Sequence, residues 1–307
     1  RLAGISSKES GMEPLKKGVY AALTTPFVRE ELSIAGLRKN IERYNRSGLA
    51  GYVVLGSTGE AVFLSDAESE KVVAEARSAA APGRTVIAGA SRESARNTVA
   101  LINRLAALGA DAALVKPPHY YRARMTQEAL NLYYARVADE ASIPIIIYNI
   151  PQNTGISIEP PLVAALARHT NIIAIKDSSG ALGNLAESLP IVPPRFLFLI
   201  GAGSVFLPGL EMGAAGGILA LAAALPELCV KLYRQFVNGR LEEARRLQLS
   251  LVPINKILTQ TMGIPAIKYA LDLLGYFGGR PRSPLLPLDL NGKREVRKRL
   301  GALGALG

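Results

Sequence analysis

Lys176 closes the apolar run Ile172–Ile175 and opens the segment Lys176-Asp177-Ser178-Ser179-Gly180. An amine at the end of such a run is costly to bury charged. Burial favours the neutral, nucleophilic form of an amine, which is what imine formation with a ketone requires. The other reading is a lysine that reaches solvent and pairs with Asp177. Lys116 ends the run Ala112–Val115 in the same way, ahead of Pro117-Pro118-His119-Tyr120-Tyr121-Arg122, and position alone does not separate the two. Gly56-Ser57-Thr58-Gly59-Glu60 sets two hydroxyls between glycines. Amides and oxygens can converge there on an anion such as a carboxylate, or the segment can simply form a tight turn ahead of a helix. Tyr148-Asn149-Ile150-Pro151-Gln152-Asn153-Thr154-Gly155 adds a phenol at the end of a further run. Cys229 is the only cysteine, and His119 and His169 stand far apart without metal-ligand spacing. No internal disulfide, no metal site and no cofactor are expected.

These groups need elements to carry them. From Gly18 onward, short and often β-branched runs alternate with longer segments of helical periodicity. The runs are Gly18–Thr24, Gly51–Leu55, Thr85–Gly89, Ala112–Val115, Ile145–Tyr148, Ile172–Lys176, Phe196–Ile200 and Gly216–Ala220. Between them lie helices such as Ile34–Ser47, Ser65–Ala80, Ser94–Leu108 and Thr126–Glu140. Ser65 with Glu68 has the capping-box spacing, and Gly48, Gly83 and Gly109 stand where left-handed stops are needed. Apolar strands without alternation indicate a parallel sheet buried on both faces, and eight such units indicate a (β/α)8 TIM barrel. A doubly wound sheet would want a glycine-rich phosphate turn after its first strand, and Thr24-Thr25-Pro26-Phe27 is not one. Beyond the eighth run, Pro226–Asn238, Leu241–Leu258, Pro265–Leu274 and Leu290–Leu300 read as helices only. The expected organisation is a leader over 1–17, a barrel over 18–224 and a C-terminal helical extension over 225–307 packed on it. In a barrel of this kind the site lies at the carboxyl ends of the strands, where every segment named above falls.

Composition narrows the partners. The chain has 307 residues, 49% of them apolar, and a net charge of +11. Residues 280–307 hold seven Lys or Arg against Asp289 and Glu295, which accounts for nearly half of that charge. No aromatic residues interleave them, so a solvated helix face is expected rather than a nucleic-acid surface. The longest apolar stretch, Gly213–Leu225, is too short for a membrane span, which needs about 20 residues. A cytoplasmic protein without nucleic-acid or membrane partners is expected, its positive charge suiting anionic substrates.

The motifs GSTGE (Gly56–Glu60), YNIPQNTG (Tyr148–Gly155) and KDSSG (Lys176–Gly180), with TTPF at Thr24–Phe27, resemble in order and spacing the dihydrodipicolinate synthase / N-acetylneuraminate lyase family of class I aldolases. The likeness spans roughly residues 18–288. It implies that Lys176 forms the imine with pyruvate or another 2-oxo acid and that Tyr148 relays protons. It further implies that Ser57 links Tyr148 to a tyrosine from across a subunit interface, matched best by Tyr120 with Tyr121 adjacent. Ser57 and Thr58 would hold the 2-oxo carboxylate, and Ser178, Gly201 and Ile218 would line the pocket. The resemblance implies a homotetramer built as a dimer of dimers.

Within the family, PHYYRARM (Pro118–Met125), PQNTG and GIPAIK (Gly263–Lys268) resemble the branch that cleaves 4-hydroxy-2-oxoglutarate. Synthases usually carry an arginine where this chain has Asn153, to meet the second substrate's carboxylate. Asparagine cannot offer a bidentate cationic fork, so Asn153 and the Thr154 hydroxyl are expected to bind through neutral hydrogen bonds. The expectation is a cofactor-free, pyruvate-forming aldolase acting on 4-hydroxy-2-oxoglutarate. The alternatives are condensation of pyruvate with aspartate semialdehyde, cleavage of another 2-keto-3-deoxy acid and, from another class, a basic nucleic-acid-binding module. A mere scaffold has no need of Lys176, Tyr148 and Ser57 together.

Overall fold

Every one of the eight apolar runs forms a strand in the computed structural model, which describes residues 15–306. They are β1 Gly18–Ala22, β2 Gly51–Val54, β3 Thr85–Gly89, β4 Ala112–Val115, β5 Ile145–Asn149, β6 Ile172–Asp177, β7 Leu197–Ile200 and β8 Gly216–Leu219. Neighbours in sequence are neighbours in space, every pairing is parallel, and β8 closes on β1 with Gly18 opposite Gly216. The closure explains the run composition. Both faces of each strand are covered, one by the barrel interior and one by helices, so neither face gains from polar side chains.

Helices α1 Ile34–Tyr44, α2 Asp66–Ala79, α3 Ala95–Ala107, α4 Gln127–Glu140, α5 Pro160–Leu166, α6 Leu182–Ser188 and α7 Phe206–Glu211 alternate with the strands. The Ser65 capping box is formed: Glu68 N–H donates to Ser65 Oγ at 3.2 Å and Ser65 N–H donates to Glu68 Oε2 at 2.9 Å. Ser94 caps α3 alone, accepting from Asn97 N at 3.2 Å. A two-stranded hairpin, Phe27–Val28 with Glu31–Leu32, interrupts the first unit. The interior of the barrel is filled by a separate apolar layer that includes Tyr20, Val53, Ile87, Leu114, Ile146, Ala174, Leu199 and Ile218.

Four further helices follow, α8 Pro226–Val237, α9 Leu241–Asn255, α10 Ile264–Leu273 and α11 Leu290–Ala302, and α9 runs on into a wider turn over Lys256–Thr261. The segments that join them are tied to α1 by specific bonds. Tyr44 Oη donates to Ala223 O at 2.6 Å, and Asn40 holds both backbone groups of Phe277, at 2.8 and 2.7 Å. The basic helix α11 docks through fully buried Val296 and Leu300. Residues 1–14 of the expected leader lie outside the described residues. Of the rest, Lys16 donates to Gly83 O at 2.9 Å. Among the described residues no helix is long and apolar enough to cross a membrane.

Candidate active site

β5 and β6 lie side by side with Tyr148 paired to Lys176 and Asn149 to Asp177. Successive strand residues face opposite sides, so this register sends Tyr148 and Lys176 together to one face and Asn149 and Asp177 to the other. Lys176 is 4% exposed, and its Nζ lies 4.0 Å from the centre of the Tyr148 ring. The alternation also decides the reading in which Lys176 pairs with Asp177. Asp177 faces away: Oδ1 accepts from Ser179 N at 2.7 Å and Ser179 Oγ at 2.5 Å, and Oδ2 accepts from Asn149 Nδ2 at 3.1 Å. Among the described residues no carboxylate pairs with Lys176.

Lys116 has a different setting. Its Nζ lies 3.1 Å from His119 Nδ1 and 3.9 Å from Glu93 Oε1. Burial pulls its pKa down while Glu93 pulls it up. The cluster holds the segment that follows, because Glu93 Oε2 accepts from His119 N at 2.8 Å and Tyr120 N at 2.9 Å. The two lysines are therefore equivalent in position along their strands but not in partners.

The Gly56–Glu60 turn approaches from β2. Ser57 Oγ lies 3.4 Å from Tyr148 Oη, longer than an ordinary O–H···O bond, as is common before substrate tightens a site. Thr58 is half-buried beside it. The turn demands left-handed backbone at Leu55 (φ 57) and Glu60 (φ 55). It also runs so close to β3 that a Cβ on Gly89 would meet Leu55 O at 1.9 Å. Two devices hold it there. Thr25 Oγ1 donates to Gly59 O at 2.6 Å. The buried Glu60 places Oε1 2.5 Å from Lys268 Nζ and accepts from Arg282 N at 2.8 Å through Oε2. Lys268 is fully buried and also donates to Arg280 O at 2.9 Å. Burial lowers its pKa and Glu60 opposes that shift.

Ser178 and Gly201 meet as one feature. A Cβ on Gly201 would stand 1.9 Å from Ser178 Oγ, so glycine leaves room for that hydroxyl. Gly201 N–H donates to Asp177 O at 2.6 Å, and Ser178 N–H donates to Asn149 O at 2.9 Å. Ile218 is fully buried in the apolar layer that also contains Tyr148, where it forms floor rather than rim. Tyr120 and Tyr121 stack edge-on, with ring centres 5.0 Å apart, and are 78% and 71% exposed. Neither bonds to Ser57 within the chain. Asn153 is exposed on the single helical turn Pro151–Thr154. Its expected helper is not available: Thr154 is buried, its hydroxyl donating to Ile150 O at 3.0 Å and accepting from Ile156 N at 3.3 Å.

Sequence reasoning missed Asn149, Glu60, Lys268 and Arg282 as positioning groups, and Thr24, whose buried hydroxyl just past β1 has no hydrogen-bond partner. The Glu60–Lys268 pair joins distant parts of the chain, so no local spacing announces it. A buried lysine within the apolar helix α10 was the available signal.

Comparison with known proteins finds similar sequences and a similar fold. The model of the dihydrodipicolinate synthetase family matches residues 15–303. A 4-hydroxy-tetrahydrodipicolinate synthase from Methanopyrus kandleri is 35% identical over 94% of this chain and 97% of its own length. One from Archaeoglobus fulgidus is 37% identical over 94% and 98%. Among solved structures, a monomeric dihydrodipicolinate synthase variant superposes with a TM-score of 0.92 at 27% identity, over 96% of this chain and all of the other. These relatives carry the synthase name, which the sequence reading placed second, and not the name of the 4-hydroxy-2-oxoglutarate branch it placed first.

Proposed function

The chain belongs to the dihydrodipicolinate synthetase family, whose members are aldolases and lyases of the Schiff-base lysine type, and from that premise we propose that Lys176 activates pyruvate as an imine. The amine adds to the ketone with loss of water, a C3 proton is removed, and the resulting enamine attacks an aldehyde carbon. The reverse sequence cleaves the same bond. One observation carries this reading: a buried amine without a carboxylate partner, set 4.0 Å from the ring of a phenol on the neighbouring strand. Tyr148 moves the protons and Ser57 passes them on. Ser57 and Thr58 bind the carboxylate of pyruvate, and Ser178, Gly201 and Ile218 shape its pocket. The exposed Tyr120 reaches Ser57 of a second copy in a homotetramer, with Tyr121 packed beside it.

The names of the relatives support condensation of pyruvate with aspartate semialdehyde as the reaction. A second reading, cleavage of 4-hydroxy-2-oxoglutarate to pyruvate and glyoxylate, is favoured by Asn153, which offers no cationic fork to the second substrate. The test is kcat/KM for both reactions on one preparation, through dihydrodipicolinate formation and pyruvate release. A higher value for condensation is expected; a higher value for cleavage replaces the first reading with the second.

A further inference from the structure

Tyr120 is exposed, yet the backbone that carries it is held. Pro117 and Pro118 have no N–H to give, so the next backbone donors after Lys116 are those of His119 and Tyr120. Both go to one oxygen: Glu93 Oε2 accepts from His119 N at 2.8 Å and from Tyr120 N at 2.9 Å. The other oxygen, Oε1, lies 2.9 Å from His119 Nδ1 and 3.9 Å from Lys116 Nζ. Lys116 N–H itself donates to Ser91 Oγ at 2.7 Å. The loop after β3 therefore grips the loop after β4 at three successive backbone donors.

Glu93 is a firm post for this grip, because its neighbours on both sides are anchored. Arg92 N–H donates to the hydroxyl of the fully buried Thr98 at 3.0 Å, and Ser94 caps α3. Burial favours the neutral form of the Glu93 carboxyl, but the amides of Tyr120 and His119, with the His119 ring and Lys116, outweigh it and hold its pKa below the usual range. A carboxylate that accepts two amides makes hydrogen bonds of the stronger, charge-assisted kind. On the far side Tyr121 stands edge-on to Tyr120, and its carbonyl accepts from Arg124 N at 2.8 Å. An exposed phenol on a backbone fixed from both sides has little freedom left to lose when it docks.

We propose that Glu93 is a positioning residue for the reaction: by fixing the backbone of Tyr120 it sets the phenol where it reaches Ser57 of a second copy. The assignment rests on the reading of Tyr120 as the phenol supplied between copies. The experiment is a double-mutant cycle on the full chain, with Glu93→Ala, Tyr120→Phe and the two combined, assayed for kcat, KM and borohydride trapping with pyruvate. Glu93→Ala is expected to lower kcat by roughly 10- to 100-fold, the range that a misplaced reacting group costs. KM for pyruvate and trapping at Lys176 should change little, because neither needs the second phenol. In the Tyr120→Phe background the same substitution should change kcat by less than about twofold, since the group it positions is gone. Glu93→Gln keeps an oxygen that can accept both amides and is expected to recover most of the loss. Sedimentation of Glu93→Ala should match that of the unmodified chain. An undiminished kcat in Glu93→Ala, an equal fall in both backgrounds, or a smaller assembly in Glu93→Ala overturns the proposal. Normal turnover in Tyr120→Phe alone is a separate failure, which removes the phenol between copies and the role of Glu93 with it.

Discussion

Tyr148 and Lys176 owe their meeting to register: paired positions on adjacent parallel strands point the same way, and the barrel interior receives both. In the proposed reaction, that puts a phenol where a proton must move as the imine forms and the new bond is made. Tyr148→Phe deletes one oxygen and little volume, so the ring stays under Lys176 and the fold persists. Turnover should fall by about 100- to 10,000-fold, the usual contribution of a general acid–base group, while pyruvate trapping on Lys176 falls less. Steady-state rates and trapping yields on one preparation check this, and near-normal turnover would reduce Tyr148 to a packing residue. At this scale the sequence was partly legible. It marked Lys116 and Lys176 equally, because both end apolar runs. What separates them is sideways information, the Glu93–His119 cluster around one and the outward turn of Asp177 beside the other.

At the scale of elements, the C-terminal helices serve the site as a clamp. The strained Gly56–Glu60 turn is held by a buried ion pair to α10 and by the backbone of Arg282, whose side chain also pairs with Glu68 at 2.6 Å. Lys268→Met should therefore leave Glu60 buried and unpaired, at a cost of about 3–5 kcal/mol. The double change Glu60→Gln with Lys268→Met removes both charges and should regain much of that loss. Denaturant unfolding of the single and double variants measures it, and a double variant no more stable than the single would show that the pair does not act as a unit. Helices and strands were largely readable from periodicity because each buries a continuous stripe or run. The hairpin at Phe27–Val28 and the turn Pro151–Thr154 were not, since two to four residues hold no period.

For the whole molecule, the closed barrel explains why the site residues come from so many places in the sequence. The segments at the ends of β2, β4, β5, β6 and β7 carry the proposed site residues to the same end, and the closure from β8 to β1 completes the ring. In the proposed assembly the exposed pair Tyr120 and Tyr121 extends that logic beyond one chain, supplying the second phenol to Ser57 of another copy. Assembly was the least legible feature of the sequence, because exposure of Tyr120 and Tyr121 depends on the folded surface rather than on any local period. The chemistry itself is testable on intact protein. Borohydride reduction in the presence of pyruvate should add one reduced adduct per chain by mass, and digestion should place it on the peptide containing Lys176. The same treatment of Lys176→Ala should add none. An adduct on Lys116, or none on the unmodified chain, would contradict the account.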